Sequence, residues 1–225
     1  MATSAAPVEA KPTNWYAKRN YQGPEVVLRV RGVGLLTNTS EDETVNGQPV
    51  SIPKQGDWWT EASYYGVEMG GAYFLSDRFA VEGNLGYLGT TDTFVQTFTF
   101  TQGGSPVVVS TEGKVRMIPV TLLAQFYPAP YGDFVPYLGA GWQHAFIMND
   151  YENIEMDDFS GPVFQVGADY WFNEKYAFNF ELRKVWMKTD IDYSALVGQA
   201  IPGMEYKSEA DLDPLLISAG LTVRF

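Results

Sequence analysis

The sequence predicts an all-β protein: an eight-stranded antiparallel up-and-down transmembrane β-barrel with short periplasmic turns and long extracellular loops. The first observation is the end of the chain, which alternates with a period of two and stops on the aromatic residue Phe225. Such alternation is typical of a β-strand. The apolar face of this last strand comprises Leu215, Ile217, Ala219, Leu221, Val223 and Phe225. Bacterial outer-membrane barrels have an apolar face towards lipid and a polar lumen.

The second observation is that the alternation recurs along the chain. Each repeat supplies the about 9 to 11 residues that a tilted membrane strand needs. The repeats begin near Glu25, Ala62, Phe79, Lys114, Val135, Pro162 and Phe178, and the terminal strand makes eight. Connections after the second, fourth and sixth strands are short and the others are long. This asymmetry is typical of outer-membrane barrels whose two termini lie on the periplasmic side.

The third observation separates a membrane barrel from a soluble one. A soluble lipocalin-type barrel places bulky apolar side chains inside and charges outside. In this chain one face of each strand is aromatic and aliphatic, whereas the other holds charges and glycines. The pattern therefore predicts a barrel with its apolar face turned outwards to lipid.

The composition agrees with this fold and excludes several functions. The chain has 225 residues, enough for one barrel, and is rich in aromatic residues and glycine. It contains no run of about 18 apolar residues, so a membrane-spanning helix is excluded. The net charge is −12 and the basic residues are scattered, which excludes nucleic-acid binding. Because the chain has no cysteine, disulfides and thiol chemistry are excluded.

The start of the chain lacks the basic and apolar regions of a signal peptide. A soluble cytoplasmic protein would begin in the same way, but the barrel requires a mature chain located in the outer membrane of a Gram-negative bacterium. Residues 1–24 are small and proline-containing and predict a flexible N-terminal periplasmic tether. Residues 25–225 are expected to form the transmembrane β-barrel.

Eight charged residues fall on the inward face of the predicted strands. They are Arg29, Arg31, Arg183 and Arg224, with Glu68, Glu82, Asp169 and Glu181. Isolated buried charge is costly, so four charges of each sign in a narrow barrel are expected to pair as a lumen charge network. An eight-stranded barrel encloses little more than its own side chains. A salt-bridged plug is therefore expected, and a conducting pore lined by the same charges is the alternative.

Pro119 lies within the fourth predicted strand and has no backbone N–H. Proline in a sheet is normally confined to edges or bulges, because one ladder hydrogen bond is lost. A bulge without function is expected at Pro119. A lateral gap that opens the wall to lipid is the alternative.

Four ordered segments resemble the OmpW family of small outer-membrane proteins. They are IPVTLLAQFYP (118–128), VPYLGAG (135–141), QVGADY (165–170), and LDP (212–214) with the closing Arg224 and Phe225. The chain departs from the family at Val223, where tyrosine is usual, and in its N-terminal extension. The resemblance implies an eight-stranded barrel that serves as a narrow channel for small, mostly hydrophobic molecules. It also implies links to stress adaptation and to recognition by colicins or phage.

The expected function is such a channel, with solute entering from the extracellular side and leaving laterally. The alternative is a structural or recognition protein whose loops or tether bind a partner while a plugged barrel anchors it. An apolar, aromatic-lined upper lumen would favour the channel, and a filled one would favour the anchor. The expected partners are outer-membrane lipid and lipopolysaccharide, small hydrophobic solutes, and the barrel-insertion machinery, which would recognise Phe225 as an assembly signal.

No catalytic residue, cofactor or metal is expected. His144 is the single histidine, and no Ser-His-Asp set can be placed around it. The acidic third loop contains Asp150, Glu152 and Asp157, but it lacks the spacing and central glycine of an EF-hand calcium loop. A solvated anionic surface is favoured over a cation site, and the oligomeric state stays open.

Overall fold

A computed structural model describes residues 25–36, 39–50, 54–55, 64–90, 93–102, 104–128, 131–149, 151 and 153–225. The predicted tether, residues 1–24, lies outside the described residues. Asp150 and Glu152 of the predicted acidic loop also lie outside them.

Eight long strands form the wall of the molecule. Numbered in chain order among all strands, they are β1 (Glu25–Leu36), β5 (Tyr64–Phe74), β6 (Phe79–Thr90), β9 (Val115–Phe126), β10 (Phe134–Asn149), β12 (Phe159–Trp171), β13 (Tyr176–Val185) and β16 (Leu215–Arg224). Each pairs antiparallel with the next, and β16 pairs with β1 from Val27–Arg224 to Leu36–Leu215. The predicted closed eight-stranded barrel is confirmed.

Side chains alternate along each wall strand, with the apolar ones outside. In β13, for example, Phe178, Phe180 and Leu182 are exposed whereas Asn179 and Glu181 are buried. Exposure of these large apolar side chains is what a lipid-facing wall requires. Ala168 is an exception to the exposure of the outward face. It has outward register but is only 8% exposed, since it lies between Pro136 and Phe180 of the two flanking strands.

The three short turns lie at the other end of the barrel from the long connections. In the first, Ser76 Oγ accepts the backbone N–H groups of Arg78 and Phe79 at 3.3 and 3.2 Å. In the third, Asn173 Oδ1 accepts those of Lys175 and Tyr176, both at 2.8 Å. Serine and asparagine stabilise tight turns through such side-chain bonds.

The long connections form an extracellular extension, not open loops. Its strands are β2 (Thr39–Val45), β3 (Gln48–Val50), β4 (Lys54–Gln55), β7 (Phe94–Gln102), β8 (Ser105–Gly113), β11 (Glu155–Met156), β14 (Met187–Asp192) and β15 (Tyr206–Leu212), with helix α1 (Ser194–Ala200). Within this extension, β7 and β8 pair antiparallel as a hairpin. Within the described residues, no helix is both long and apolar enough to cross a membrane.

Candidate functional site

A network of buried charges fills the middle of the barrel, and we call its seven charged residues the plug: Arg29, Arg31, Arg183, Glu68, Glu82, Asp169 and Glu181. Arg29 donates through Nη1 to Glu82 Oε1 at 2.9 Å and through Nη2 to Asp169 Oδ2 at 2.8 Å. The same Nη2 also donates to the Tyr127 hydroxyl at 3.1 Å. Arg29 thus connects three strands of the wall, because its partners lie on β6 and β12.

Arg31 and Arg183 complete the ionic contacts of the plug. Arg31 lies 2.7 Å from Glu68 Oε1, 2.6 Å from Glu82 Oε1 and 3.1 Å from Glu181 Oε2. Arg183 donates to both oxygens of Glu68, at 2.7 and 3.0 Å, and also pairs with Glu181. Glu68 therefore bridges two guanidinium groups, which is the geometry that offsets the cost of burying charge.

Neutral side chains satisfy the remaining oxygens of the plug. Gln165 Nε2 donates to Glu82 Oε2 at 3.0 Å and to Glu181 Oε2 at 2.6 Å. Gln125 Nε2 donates to Glu82 Oε2 at 2.5 Å, and Thr222 Oγ1 donates to Asp169 Oδ1 at 2.7 Å. These neutral residues were not predicted to belong to the network. Their inward register was the signal that could have identified them.

Arg224 is a correction to the predicted lumen network. Its Nε lies 2.7 Å from Glu25 Oε1, and its guanidinium lies 4.0 Å from the Trp171 ring centroid. Both side chains of the ion pair are partly exposed, since these residues lie at the periplasmic end of the barrel. The buried network therefore contains three arginines and four carboxylates, not four charges of each sign.

The inward faces above the plug are apolar, and we call this buried cluster the upper lumen. Its lower part is formed by buried residues of the wall strands above the plug: Val33, Leu35, Leu88, Met117, Ala145, Val163 and Val185. Its upper part is aromatic. The Phe98 ring lies 5.0 Å from Tyr193 and 5.4 Å from Tyr206, and Tyr193 stacks on Tyr206 at 5.1 Å. The cluster is well packed, so the upper lumen is both apolar and filled.

Pro119 lies where the plug meets the upper lumen. On the inward face of β9 it stands between Met117 of the upper lumen and Thr121, which donates to Gln143 at 3.1 Å. A Cβ on Gly86 of β6 would lie 2.9 Å from Pro119 Cγ, so the two residues are in close approach. The β6–β9 ladder is interrupted at this point, between the pairs Leu85–Val120 and Leu88–Met117.

The interruption at Pro119 is not a bulge. The residue numbers on β6 and β9 keep the same register on both sides of the break, so neither strand has an extra residue. The other edge of β9 pairs with β10 without a break through Ala145–Pro119. The missing ladder pairs are thus confined to one side of the strand.

The residues considered for catalysis or metal binding are dispersed. His144 lies on the outward face of β10, with Nε2 at 3.6 Å from Asp158 Oδ2. In the described part of the chain, no three His, Cys, Asp or Glu side chains are grouped as a metal site would require. Asp157 lines an acidic cleft of the extracellular extension together with Asp192. Burial raises the pKa of Asp192, but hydrogen bonds from Ser194 and Lys207 outweigh it and hold that pKa below its usual value.

Relatives of known sequence and structure fit this geometry. The protein is 32% identical over 203 residues to the uncharacterized outer-membrane protein y4mB of Sinorhizobium fredii, covering 88% of this chain and 79% of that one. It is 28% identical over 117 residues to the dibenzothiophene metabolism operon protein PahQ of Pseudomonas aeruginosa, covering 50% and 53% of the two chains. The crystal structure of the outer membrane protein OprG from Pseudomonas aeruginosa matches with a TM-score of 0.67 at 20% identity, covering 89% and 95%.

The family model gives the broadest match. It extends over residues 26–225, from the second residue of β1 to the C-terminal phenylalanine, and so includes every wall strand together with the plug and Pro119. A closed barrel with a lipid-facing apolar wall and relatives named as outer-membrane proteins place the chain in the outer membrane. The protein is therefore a member of the OmpW family of outer-membrane β-barrels.

Proposed function

We propose that the protein is a narrow channel for small hydrophobic molecules, which enter the upper lumen from the extracellular side and leave laterally into the membrane beside Pro119. One observation carries this proposal. An apolar, aromatic upper lumen lies directly on a charged plug, and the interruption of the β6–β9 ladder lies at their junction. A molecule that dissolves in the upper lumen meets the break before it meets the charges.

The plug blocks passage along the barrel axis, and this favours an exit of the solute through the wall. Its arginines are completely buried, and every plug carboxylate has at least one arginine partner. A hydrated ion that passed through would have to separate these pairs, which leaves uncompensated charge at low dielectric. An apolar molecule gains nothing from contact with the plug and is excluded by its polarity.

The ladder between β6 and β9 is weakened at Pro119, beside the upper lumen. Pro119 has no N–H to donate, and its ring, not a ladder hydrogen bond, makes the contact with Gly86 on the opposite strand. A local parting of β6 and β9 here would break fewer hydrogen bonds than at any fully paired position. It would open the floor of the upper lumen to acyl chains.

Entry requires the extracellular extension to move, because the upper lumen is closed in this structure. Helix α1 is the element best suited to move. It has seven residues, its N-cap Tyr193 makes no side-chain capping bond, and among its residues Leu196 and Val197 are buried. Helices this short depend on tertiary packing and open at low free-energy cost.

The name of one relative agrees with this substrate class. PahQ is named for a dibenzothiophene metabolism operon, and dibenzothiophene is a fused aromatic molecule of low polarity. A solute of that kind would match the aromatic part of the upper lumen.

A second candidate function follows from the packing of the upper lumen. Because the cluster is filled, the barrel would serve as an anchor, and the extracellular extension would recognise a partner. The extension is strongly acidic around the cleft that Asp42, Glu155, Asp157, Asp190, Asp192 and Glu209 line. A basic partner would be favoured there electrostatically.

Transport and conductance of the purified protein distinguish these functions. Liposomes that carry it are expected to take up a hydrophobic fluorescent probe faster than empty ones, while planar bilayers show only small ionic currents. Pro119→Val restores a ladder donor and is expected to slow uptake severalfold without lowering barrel stability. Pro136→Val is the matched control, since Pro136 lies in β10 where the ladder with β12 is unbroken.

Two results would contradict the channel. Large, stable ionic currents that grow when Glu68 or Arg183 is neutralised would indicate an axial pore. Equal uptake by empty liposomes, wild-type protein and both proline variants would leave the anchor as the better account.

A further inference from the structure

The upper lumen contains one polar side chain that the packing does not explain. Gln96 lies on the inward face of β7 and is completely buried. Among the described residues, neither its amide nitrogen nor its amide oxygen has a hydrogen-bond partner. A buried amide without partners is rare, because the water it loses on folding is not replaced.

Two other buried glutamines, in contrast, have hydrogen-bond partners for both amide atoms. Gln125 donates to Glu82 and accepts from the Tyr127 hydroxyl at 2.9 Å. Gln165 donates to Glu82 and accepts from Gln125 at 3.0 Å. Both amides are hydrogen-bonded to the plug. Gln96 lies instead in the extracellular hairpin, outside the plug.

The described neighbours of Gln96 are mostly aromatic, with one small polar residue among them. Phe98 is two residues along the same face of β7, and Thr111 is directly opposite on β8. Two residues further on β8, Gly113 makes room for the Tyr151 ring, because a Cβ there would lie 2.7 Å from Tyr151 Cγ. Gln96 therefore has the Phe98 ring two positions away on its own strand, and on the side of β8 it has Thr111 and the Tyr151 ring that packs on Gly113.

We propose that Gln96 is the polar contact of a solute site in the upper lumen, which takes small neutral aromatic molecules bearing a hydroxyl group. This inference rests on the proposed function and names its substrate class. A hydroxyl accepts a hydrogen bond from the amide nitrogen and donates one to the amide oxygen, so a single group satisfies both atoms. The aromatic body of the solute packs against rings such as Phe98.

The negative charge of the protein disfavours anionic derivatives of such a solute. The mouth of the barrel carries an acidic cleft, with Asp157 and Glu209 among its lining residues, and the whole chain has a net charge of −12. A carboxylate would be repelled on approach and would lose its hydration in the apolar cluster. A neutral phenol or alcohol avoids both costs, and a plain hydrocarbon would leave Gln96 without a partner.

The test compares 2-naphthol with naphthalene, which differ only by the hydroxyl group. Binding is measured by equilibrium dialysis against the protein in lipid nanodiscs, with empty discs subtracted, and uptake is measured in liposomes. Gln96→Met keeps the length of the side chain and removes its hydrogen bonds, and Gln96→Leu is run in parallel in case one variant does not assemble. Gln102→Met is the matched control, because Gln102 is exposed at the end of the same strand.

The wild-type protein is expected to prefer 2-naphthol, and the Gln96 variants are expected to lose about fivefold of that preference, the effect of one or two neutral hydrogen bonds. Gln102→Met should keep it. The variants should also melt at a higher temperature without solute, because they no longer bury an unpaired amide. An unchanged preference in the variants, or no wild-type binding of 2-naphthol, would overturn the site.

The two readouts separate this inference from the function on which it rests. Binding that depends on Gln96 without any uptake would overturn the channel and keep the site. Uptake of both solutes with a preference that ignores Gln96 would keep the channel and overturn the site.

Discussion

Arg183 and Arg224 are arginines on the adjacent strands β13 and β16, and both were predicted to face the lumen. Arg183 is buried between Glu68 and Glu181. Arg224 is partly exposed, between Glu25 and the Trp171 ring. The same side chain thus has two electrostatic environments, because one lies in the plug and the other at the water interface.

This difference predicts unequal stability losses. Arg183→Met removes one of the two guanidinium partners of Glu68 and of Glu181 in the buried plug, and it is expected to lower the free energy of unfolding by about 3 to 5 kcal/mol. Arg224→Met removes a solvent-screened pair and a cation–π contact and is expected to cost only about 1 kcal/mol. Urea unfolding in phospholipid vesicles measures both. Equal losses would show that the plug does not hold its charges as described.

For single residues, the sequence predicted which side of the wall a side chain faces but not its position along the barrel axis. Period-two alternation correctly turned Arg29, Arg31 and Arg183 inwards, because strand geometry fixes the side of each residue. Alternation does not say how far along the barrel axis a side chain lies, so Arg224 was wrongly assigned to the buried network. Gln96 was missed because it lies in one of the long connections, which were expected to be extracellular loops without a lumen around them.

Strand β12 is the element on which the orientation of the wall can be tested. The chain has no native cysteine, so single cysteines can carry spin labels without background. Labels at Phe164, Val166, Tyr170 and Phe172 are expected to meet the lipid-soluble relaxation agent oxygen. The intervening Gln165 is buried and is expected to be shielded.

A label at Ala168 provides a finer check of the same strand. Because larger neighbours cover this position, its contact with oxygen should be lower than that of Val166. A helical period, or uniform access to a water-soluble relaxation agent along 162–172, would contradict a membrane strand.

At the scale of elements, sequence located the wall strands to within a few residues but did not find the extension. Wall strands carry an apolar period of two because lipid is on one side. In β2 and β15 the alternation is made by charged and small residues, as in the pairing of Glu43 with Ser208. The apolar face is almost missing in β2, and in β15 Ser208 interrupts the face of Tyr206, Ala210 and Leu212, so these segments were expected to be loops.

The whole molecule must still be inserted, and Phe225 bears on that step. Its side chain is 69% exposed, and its backbone N–H donates to Val26 O at 3.0 Å. Deletion of Phe225 removes little packing, so refolding in vitro is expected to continue. Insertion in cells should fall severely if the assembly machinery recognises the terminal aromatic residue.

Heat-modified mobility on gels, compared between cell membranes and refolded samples, measures both outcomes. A deletion that impairs the two equally would show that Phe225 acts through packing. Phe172→Ala is a suitable control, because Phe172 is another exposed aromatic residue at the periplasmic end.

The overall topology was predictable because short and long connections alternate along the chain. The packing inside the upper lumen was not predictable, because Phe98, Tyr193 and Tyr206 come from three distant segments of the chain. Such contacts depend on tertiary arrangement, which a periodicity argument does not contain. For the same reason sequence left open whether the lumen is apolar, filled or both.

The seam between β1 and β16 has a consequence for the order of folding. Seven of the eight wall ladders join strands that follow each other around the barrel in chain order, whereas this seam joins the first strand to the last. Closing it fixes a loop of nearly the whole described chain, and the entropy cost of closure rises with loop length. Contacts of such high sequence separation slow folding. The seam should therefore form last, and until it does, β1 and β16 present unpaired edges that the inserting chain must shield from other strands.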